Sequence, residues 1–170
     1  YCVGSAPLKP LRAVSTDDLA EAFTLNAASA VEVVRAALPA LKKNRGPVVL
    51  FSSVAVQHGF SNHVIIGAAK GAVEGISRSL AAELAPSGIR LNCVAPSLTE
   101  GAAITAPLTA NDKLAKSIAA SHPLGRLGKP EDSAALAAFL LSSSSDDGNS
   151  SSWITGQVFA CDGGRSSILR

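Results

Sequence analysis

Apolar and polar positions change their period several times along the chain, and each change marks an element. Ser15-Thr16-Asp17-Asp18 offers an N-cap followed by first-turn acids. Leu19, Phe23, Ala30, Val34, Leu38 and Leu41 then recur at helical spacing, which predicts one long amphipathic helix over 16–43. Gly46-Pro47 ends the linker, and Val48-Val49-Leu50-Phe51 is a continuous apolar run of the kind buried on both faces of a parallel sheet, with Ser52 and Ser53 at its C-terminal end. From about Val64 to Ala85 the residues are good helix formers, and Gly67, Ala68, Gly71, Ala72 and Gly75 leave one face almost without bulk. Pro86-Ser87-Gly88 stops that helix, and Ile89 to Ala95 reads as a second buried strand running into Pro96.

Beyond residue 97 the pattern weakens. A helical stretch near Asp112 to Ala120 is followed by the turn-rich His122-Pro123-Leu124-Gly125-Arg126-Leu127-Gly128-Lys129, and Pro130 is placed as the first residue of another helix. Ser142 to Ser152 is a polar, low-complexity loop, and a last short strand over 157–161 leads into Asp162-Gly163-Gly164. Strands alternating with helices predict an α/β fold, with strands near 48–52, 89–95 and 157–161 as parallel neighbours or near-neighbours and the 64–85 helix crossing between the first two. At 170 residues and 47% apolar composition, one core and a single domain over 1–170 are expected.

Charge and cysteine content narrow the function. The net charge of +2 comes from 15 basic and 13 acidic residues scattered along the chain, which argues against nucleic acid or an anionic membrane as partner and for a small-molecule ligand. Cys2, Cys93 and Cys161 have neither metal-ligand spacing nor a secreted mini-domain context, so they read as reduced thiols of a cytoplasmic protein without a metal. No apolar run approaches the roughly 20 residues that cross a bilayer, and no signal-peptide layout is present. The absence of methionine, with Tyr1 first, predicts further chain upstream.

In an open parallel sheet the ligand crevice lies beyond the C-terminal strand ends, which selects Ser52, Ser53, Pro96, Ser97 and the segment after Ala160. Ser53 reads either as a serine capping the next turn or as a polar group facing the crevice. Asn26 lies within the apolar stripe of its helix, where an unpaired amide is costly, so it is either a structural amide bonded to a neighbouring strand or the holder of a buried water. Lys70, alone, reads as a surface lysine, and His58 and His63 as loop histidines.

Together these residues resemble a known family. Ser53, the interval of 13 to residue 66, Lys70 four residues later, and Asn26 lying 27 before Ser53 are similar in spacing to the short-chain dehydrogenases/reductases. Gly4, Leu91-Asn92-Cys93-Val94-Ala95-Pro96, Pro123-Leu124-Gly125-Arg126, Pro130-Glu131-Asp132, Thr155-Gly156-Gln157 and Asp162-Gly163-Gly164 match further family positions. The resemblance implies the C-terminal portion of a Rossmann-like, doubly wound parallel sheet, NAD or NADP as cofactor, a carbonyl or alcohol substrate, and a homodimer or homotetramer assembled through the 16–43 and 64–85 helices. It further implies that Ser53 positions the substrate oxygen, Lys70 binds the nicotinamide ribose, and Asn26 anchors a proton-relay water, with Gly4, Pro96, Ser97 and Thr99 also at the cofactor. The family's catalytic tyrosine falls at Ile66, which carries no titratable proton. Candidate replacements are His63, a water on Asn26, or Ser53 itself. Tyr1-Cys2-Val3 also departs from the usual turn, Ser97 stands for a glycine, and Gly101 stands for a cofactor-contacting threonine that Thr99 could replace. The glycine-rich dinucleotide loop is expected upstream of Tyr1. The alternative is a catalytically impaired relative kept for cofactor sensing or assembly, with Ile66 as its support.

Overall fold

The computed structural model describes residues 1–101, 104–142 and 150–168. Three strands, β1 (Val48–Phe51), β2 (Leu91–Pro96) and β3 (Val158–Cys161), form one sheet in the order β1-β2-β3. Both pairings are parallel, Val48 opposite Leu91 and Cys93 opposite Val158, as the apolar runs predict. Parallel pairing puts the three C-terminal ends on one edge. Ser52 N and Ser97 N still donate to Val94 O (2.7 Å) and Cys161 O (3.3 Å), so the chain leaves the sheet only at Ser53 and Leu98.

Helices cover both faces. Helix α3 (Val64–Leu84) crosses from β1 to β2 and packs with α2 (Ser29–Asn44) on one side, where Val34, Leu50, Val73, Ile89, Leu91 and Cys93 form the main core. Helix α6 (Pro130–Leu141) covers the other side through Leu140, against Val49 and Val94. Alternate residues of β2 therefore serve opposite cores. Full burial of each such side chain is worth about 1.5–3 kcal/mol. Asn92, also buried, spends its amide on β3's approach, donating to Ile154 O (2.9 Å) and accepting from Gln157 N (3.1 Å). The Arg90 guanidinium donates to Leu140 O and Ser142 O, satisfying orphan carbonyls at the end of α6.

The first helical region departs from its expected face. Ser15 caps α1 (Thr16–Phe23) in a reciprocal box with Asp18, but a π turn over Thr24–Ala28 interrupts the helix before α2. The wider turn shifts the inward series to Ala22, Asn26, Ala30 and Val34, four residues apart, so Leu19 (36% exposed) and Phe23 (48%) face outward instead of joining the core. Helix α5 (Asp112–Ala120) forms where expected, capped by the Asn111 side chain on Leu114 N. A short helix α4 (Ala106–Thr109) precedes it, unforeseen. The small-residue face of α3 admits the turn Val54–Val56: a methyl group on Gly67 would lie 3.5 Å from Ala55 O, whereas Gly75 has nothing within 4 Å. Of the polar loop expected over 142–152, residues 143–149 lie outside the described residues. No helix among the described residues is long and apolar enough to cross a membrane.

Candidate active site

At the C-terminal edge of the sheet the candidate residues form two adjoining groups. In the first, Lys70 Nζ donates to Phe51 O (2.9 Å), the last carbonyl of β1. Lys70 is thus half-buried rather than a solvated surface lysine, and burial lowers its pKa from the ordinary lysine value. Asn26, buried on the π turn, donates to Ala22 O (2.9 Å) and Ser5 Oγ (3.3 Å) and accepts from Ser5 N (3.2 Å). The amide is therefore structural: it ties the N-terminal segment to the helix. Gly4 lies between the two side chains, because a methyl group there would sit 2.5 Å from Asn26 Oδ1 and 3.3 Å from Lys70 Nζ. Sequence positions 4, 26 and 70 converge.

The second group lines a cavity of about 510 Å³. Ser53, His63, Ile66, Ser97 and Arg165 face it, with mostly aliphatic walls. Ser53 Oγ accepts from Ala55 N (3.2 Å), so it caps the next turn and also borders the crevice. The two readings of this serine are compatible. His63 is the residue before α3, and its Nδ1 lies 2.7 Å from Ser61 O, a group that only accepts; the neutral ring then presents Nε2 as an acceptor. Ile66 is 4% exposed, on the cavity wall one turn before Lys70. Thr99 does not border the cavity: its Oγ1 donates to Ser97 O (3.1 Å) and its backbone bridges to Gly128. Pro96 ends β2, and His58 is exposed.

Two residues bonded to Ser97 escaped sequence reasoning. His122, fully buried, donates from Nδ1 to Ile118 O (2.8 Å), which fixes Nε2 as the acceptor for the Ser97 hydroxyl at 2.8 Å. Arg165 Nη1 donates to the same Ser97 Oγ at 3.3 Å, and its guanidinium carbon stands 4.5 Å above the Phe60 ring. Ser97 is thus the hub of an Arg165–Ser97–His122 chain. The available signal was the pair Gly163-Gly164, whose φ values of 61° and 87° turn the chain back over the crevice.

Comparison with known proteins decides the family. The model described as enoyl-(acyl carrier protein) reductase matches residues 1–166. The chain belongs to the short-chain dehydrogenase/reductase family. A tropinone reductase homolog of Arabidopsis thaliana is 37% identical over 163 residues, which are 95% of this chain and 59% of the relative. An inactive 2-(S)-hydroxypropyl-CoM dehydrogenase of Xanthobacter autotrophicus is 39% identical over 131 residues, 75% of this chain and 54% of the relative. A crystal structure from Beutenbergia cavernae, described as an NAD(P)-dependent gluconate 5-dehydrogenase with NADP at low occupancy, superimposes with a TM-score of 0.86 at 33% identity, covering 97% of this chain and 64% of that one. The chain thus spans somewhat over half the length of these short-chain dehydrogenase/reductase relatives. Its sheet is a Rossmann-type portion of the family fold.

Proposed function

We propose that the protein is an NAD(P)-dependent oxidoreductase acting on a carbonyl or alcohol carbon of a small molecule. The observation that carries this reading is the convergence of Gly4, Asn26 and Lys70 beside a cavity bordered by Ser53. The donor set fits a nicotinamide ribose: Lys70 spends one N–H on Phe51 O, and an ammonium has three. When bound, the nicotinamide supplies or accepts the hydride. Lys70 would hold the ribose hydroxyls, Asn26 would keep Gly4 and Ser5 in place beside them, and Pro96, Ser97 and Thr99 would be further residues at the cofactor. Ser53 uses a lone pair on Ala55 N, which leaves its hydroxyl proton to donate to the substrate oxygen. His63 can deliver a proton only as the doubly protonated ring, since its neutral form holds the single proton on Nδ1.

A second reading, a catalytically impaired relative retained for cofactor sensing or assembly, is favoured by Ile66 and by the inactive designation of the Xanthobacter relative. One set of measurements separates them. NADH and NADPH are titrated by fluorescence against the wild type and Lys70→Ala, and carbonyl reduction is assayed for the wild type, Ile66→Tyr and Ile66→Phe. Binding that weakens about tenfold or more in Lys70→Ala supports the cofactor assignment, since a charged hydrogen bond is worth about 1.5–3 kcal/mol. A folded protein that binds neither nucleotide, or binds equally well without Lys70, refutes it. Reduction by the wild type establishes the enzyme, whereas activity appearing only in Ile66→Tyr identifies an impaired one.

We extend the reading to a cytoplasmic homodimer or homotetramer joined through α1, α2 and α3, on which Phe23 and Val33 are each 48% exposed. Sedimentation as a stable monomer at micromolar concentration contradicts that assembly.

A further inference from the structure

We infer that the cavity takes a substrate with a carboxylate on an otherwise apolar body, and that Arg165 is the receptor for that carboxylate. The inference rests on the oxidoreductase reading only in calling the ligand a substrate. Arg165 is half-buried on the cavity wall, and of its five N–H donors one is spent, on Ser97 Oγ at 3.3 Å. Ion pairs among the described residues join Lys9 to Asp18, Arg35 to Glu32, Arg78 to Glu74 and Arg126 to Asp132; none includes Arg165. No acidic residue lines the cavity among the described residues. Asp162 acts on Arg165 only from a distance, since its own oxygens accept from Gly164 N (2.9 Å), Ser166 N (2.7 Å) and Ser166 Oγ (2.6 Å).

A guanidinium half withdrawn from water with no carboxylate in contact is costly, and burial lowers its pKa while Asp162 acts the other way from a distance. An anionic ligand group removes that cost. The Phe60 ring holds one side of the guanidinium and Ser97 fixes one nitrogen, so the remaining donors form a preset fork rather than a mobile charge. A planar carboxylate matches such a fork with two parallel hydrogen bonds. A phosphate dianion suits it less, because Arg165 is the sole lysine or arginine lining the cavity among the described residues. The walls around it, including Leu8, Val54, Ile66, Ile104 and Leu108, are aliphatic and match a carbon chain. Ser53 borders the same cavity, so one ligand can meet both Arg165 and the proposed carbonyl contact.

The test uses 2-oxohexanoate, its methyl ester and inorganic phosphate, titrated by calorimetry with and without NADPH. The wild type is expected to bind the acid about tenfold more tightly than the ester, the value of one charge-assisted contact. Arg165→Leu should erase that preference and Arg165→Lys should keep part of it, while NADPH affinity stays within about twofold in both. Equal binding of acid and ester by the wild type overturns the assignment, and that comparison needs no variant to fold. Phosphate that displaces the acid at equal concentration, or an Arg165→Leu protein that loses NADPH binding, also overturns it and assigns the guanidinium to a phosphate. Acid preference in a protein that binds no nicotinamide nucleotide sustains the carboxylate site while the oxidoreductase reading fails.

Discussion

Replacing Gly4 with alanine should damage the Asn26–Lys70 cluster without touching either residue. Gly4 has no positive φ, so the backbone accepts alanine and the conflict is purely steric. The new methyl would stand 2.5 Å from Asn26 Oδ1, a separation that side chains cannot sustain, and 3.3 Å from Lys70 Nζ. The lysine end can give way; the buried amide cannot move without surrendering its bonds to Ser5 and Ala22. A buried polar group left unpaired costs about 1–3 kcal/mol, so about 2 kcal/mol is expected, or about 4–8 °C of melting temperature for a chain of this size. The assay is thermal and urea unfolding of Gly4→Ala, Asn26→Ala and the double variant. In the Asn26→Ala background the methyl has room, and its cost should fall below about 0.5 kcal/mol, a coupling near 1.5 kcal/mol. An undiminished cost in that background, or a cost below about 0.5 kcal/mol in the wild type, refutes the steric account.

Two further predictions follow from buried titratable groups. Burial depresses the Lys70 pKa below its ordinary value of 10.5, so between those limits the unfolded chain holds a proton that the folded chain lacks, and stability rises with pH. Urea unfolding from pH 8 to 10.5 should show the wild type gaining on Lys70→Met as pH increases; a gap that is constant or closes the other way contradicts the burial assignment. Cys93, raised from 9.0 to about 11 by burial, holds about 100-fold less thiolate at pH 8 than an ordinary thiol, and it is inaccessible as well. An aromatic disulfide reagent should therefore label exposed Cys2 promptly and Cys93 only on unfolding, and prompt labelling of Cys93 in the native protein contradicts the core position.

The sheet was legible because a strand buried on both faces leaves an apolar run, unbroken over 48–51 and interrupted only by Asn92 over 91–95, and because turn residues bracket those runs. The stripe through Leu19 and Phe23 misled for a definite reason: the π turn inserts a residue, and no local pattern distinguishes 19, 23, 30, 34 from the true 22, 26, 30, 34. Lys70 and Asn26 were tied to one site only through the family resemblance, and their surroundings were not legible, since Phe51 O and Ser5 come from distant segments. Arg165 and His122 sit on turns without periodicity, 43 residues apart in sequence, and they meet at Ser97. Side chains that meet through tertiary closure of loops leave no periodic trace in the chain.

The intact cluster beside an isoleucine follows from where Lys70 is anchored. Its partner is Phe51 O, a main-chain atom at the end of β1, so no side chain at position 66 is needed to hold the ammonium. Asn26 is likewise closed on Ser5 and Ala22, and no buried side-chain polar atom among the described residues lacks a hydrogen-bond partner. Ile66 lies in a wall that is already largely aliphatic, where it strands no donor or acceptor. An aliphatic residue at position 66 therefore carries no structural penalty, and equally it gives no structural reason to keep Lys70 or Ser53. The groups proposed to bind cofactor and substrate oxygen stand independently of residue 66, whose aliphatic side chain supplies cavity wall and no proton.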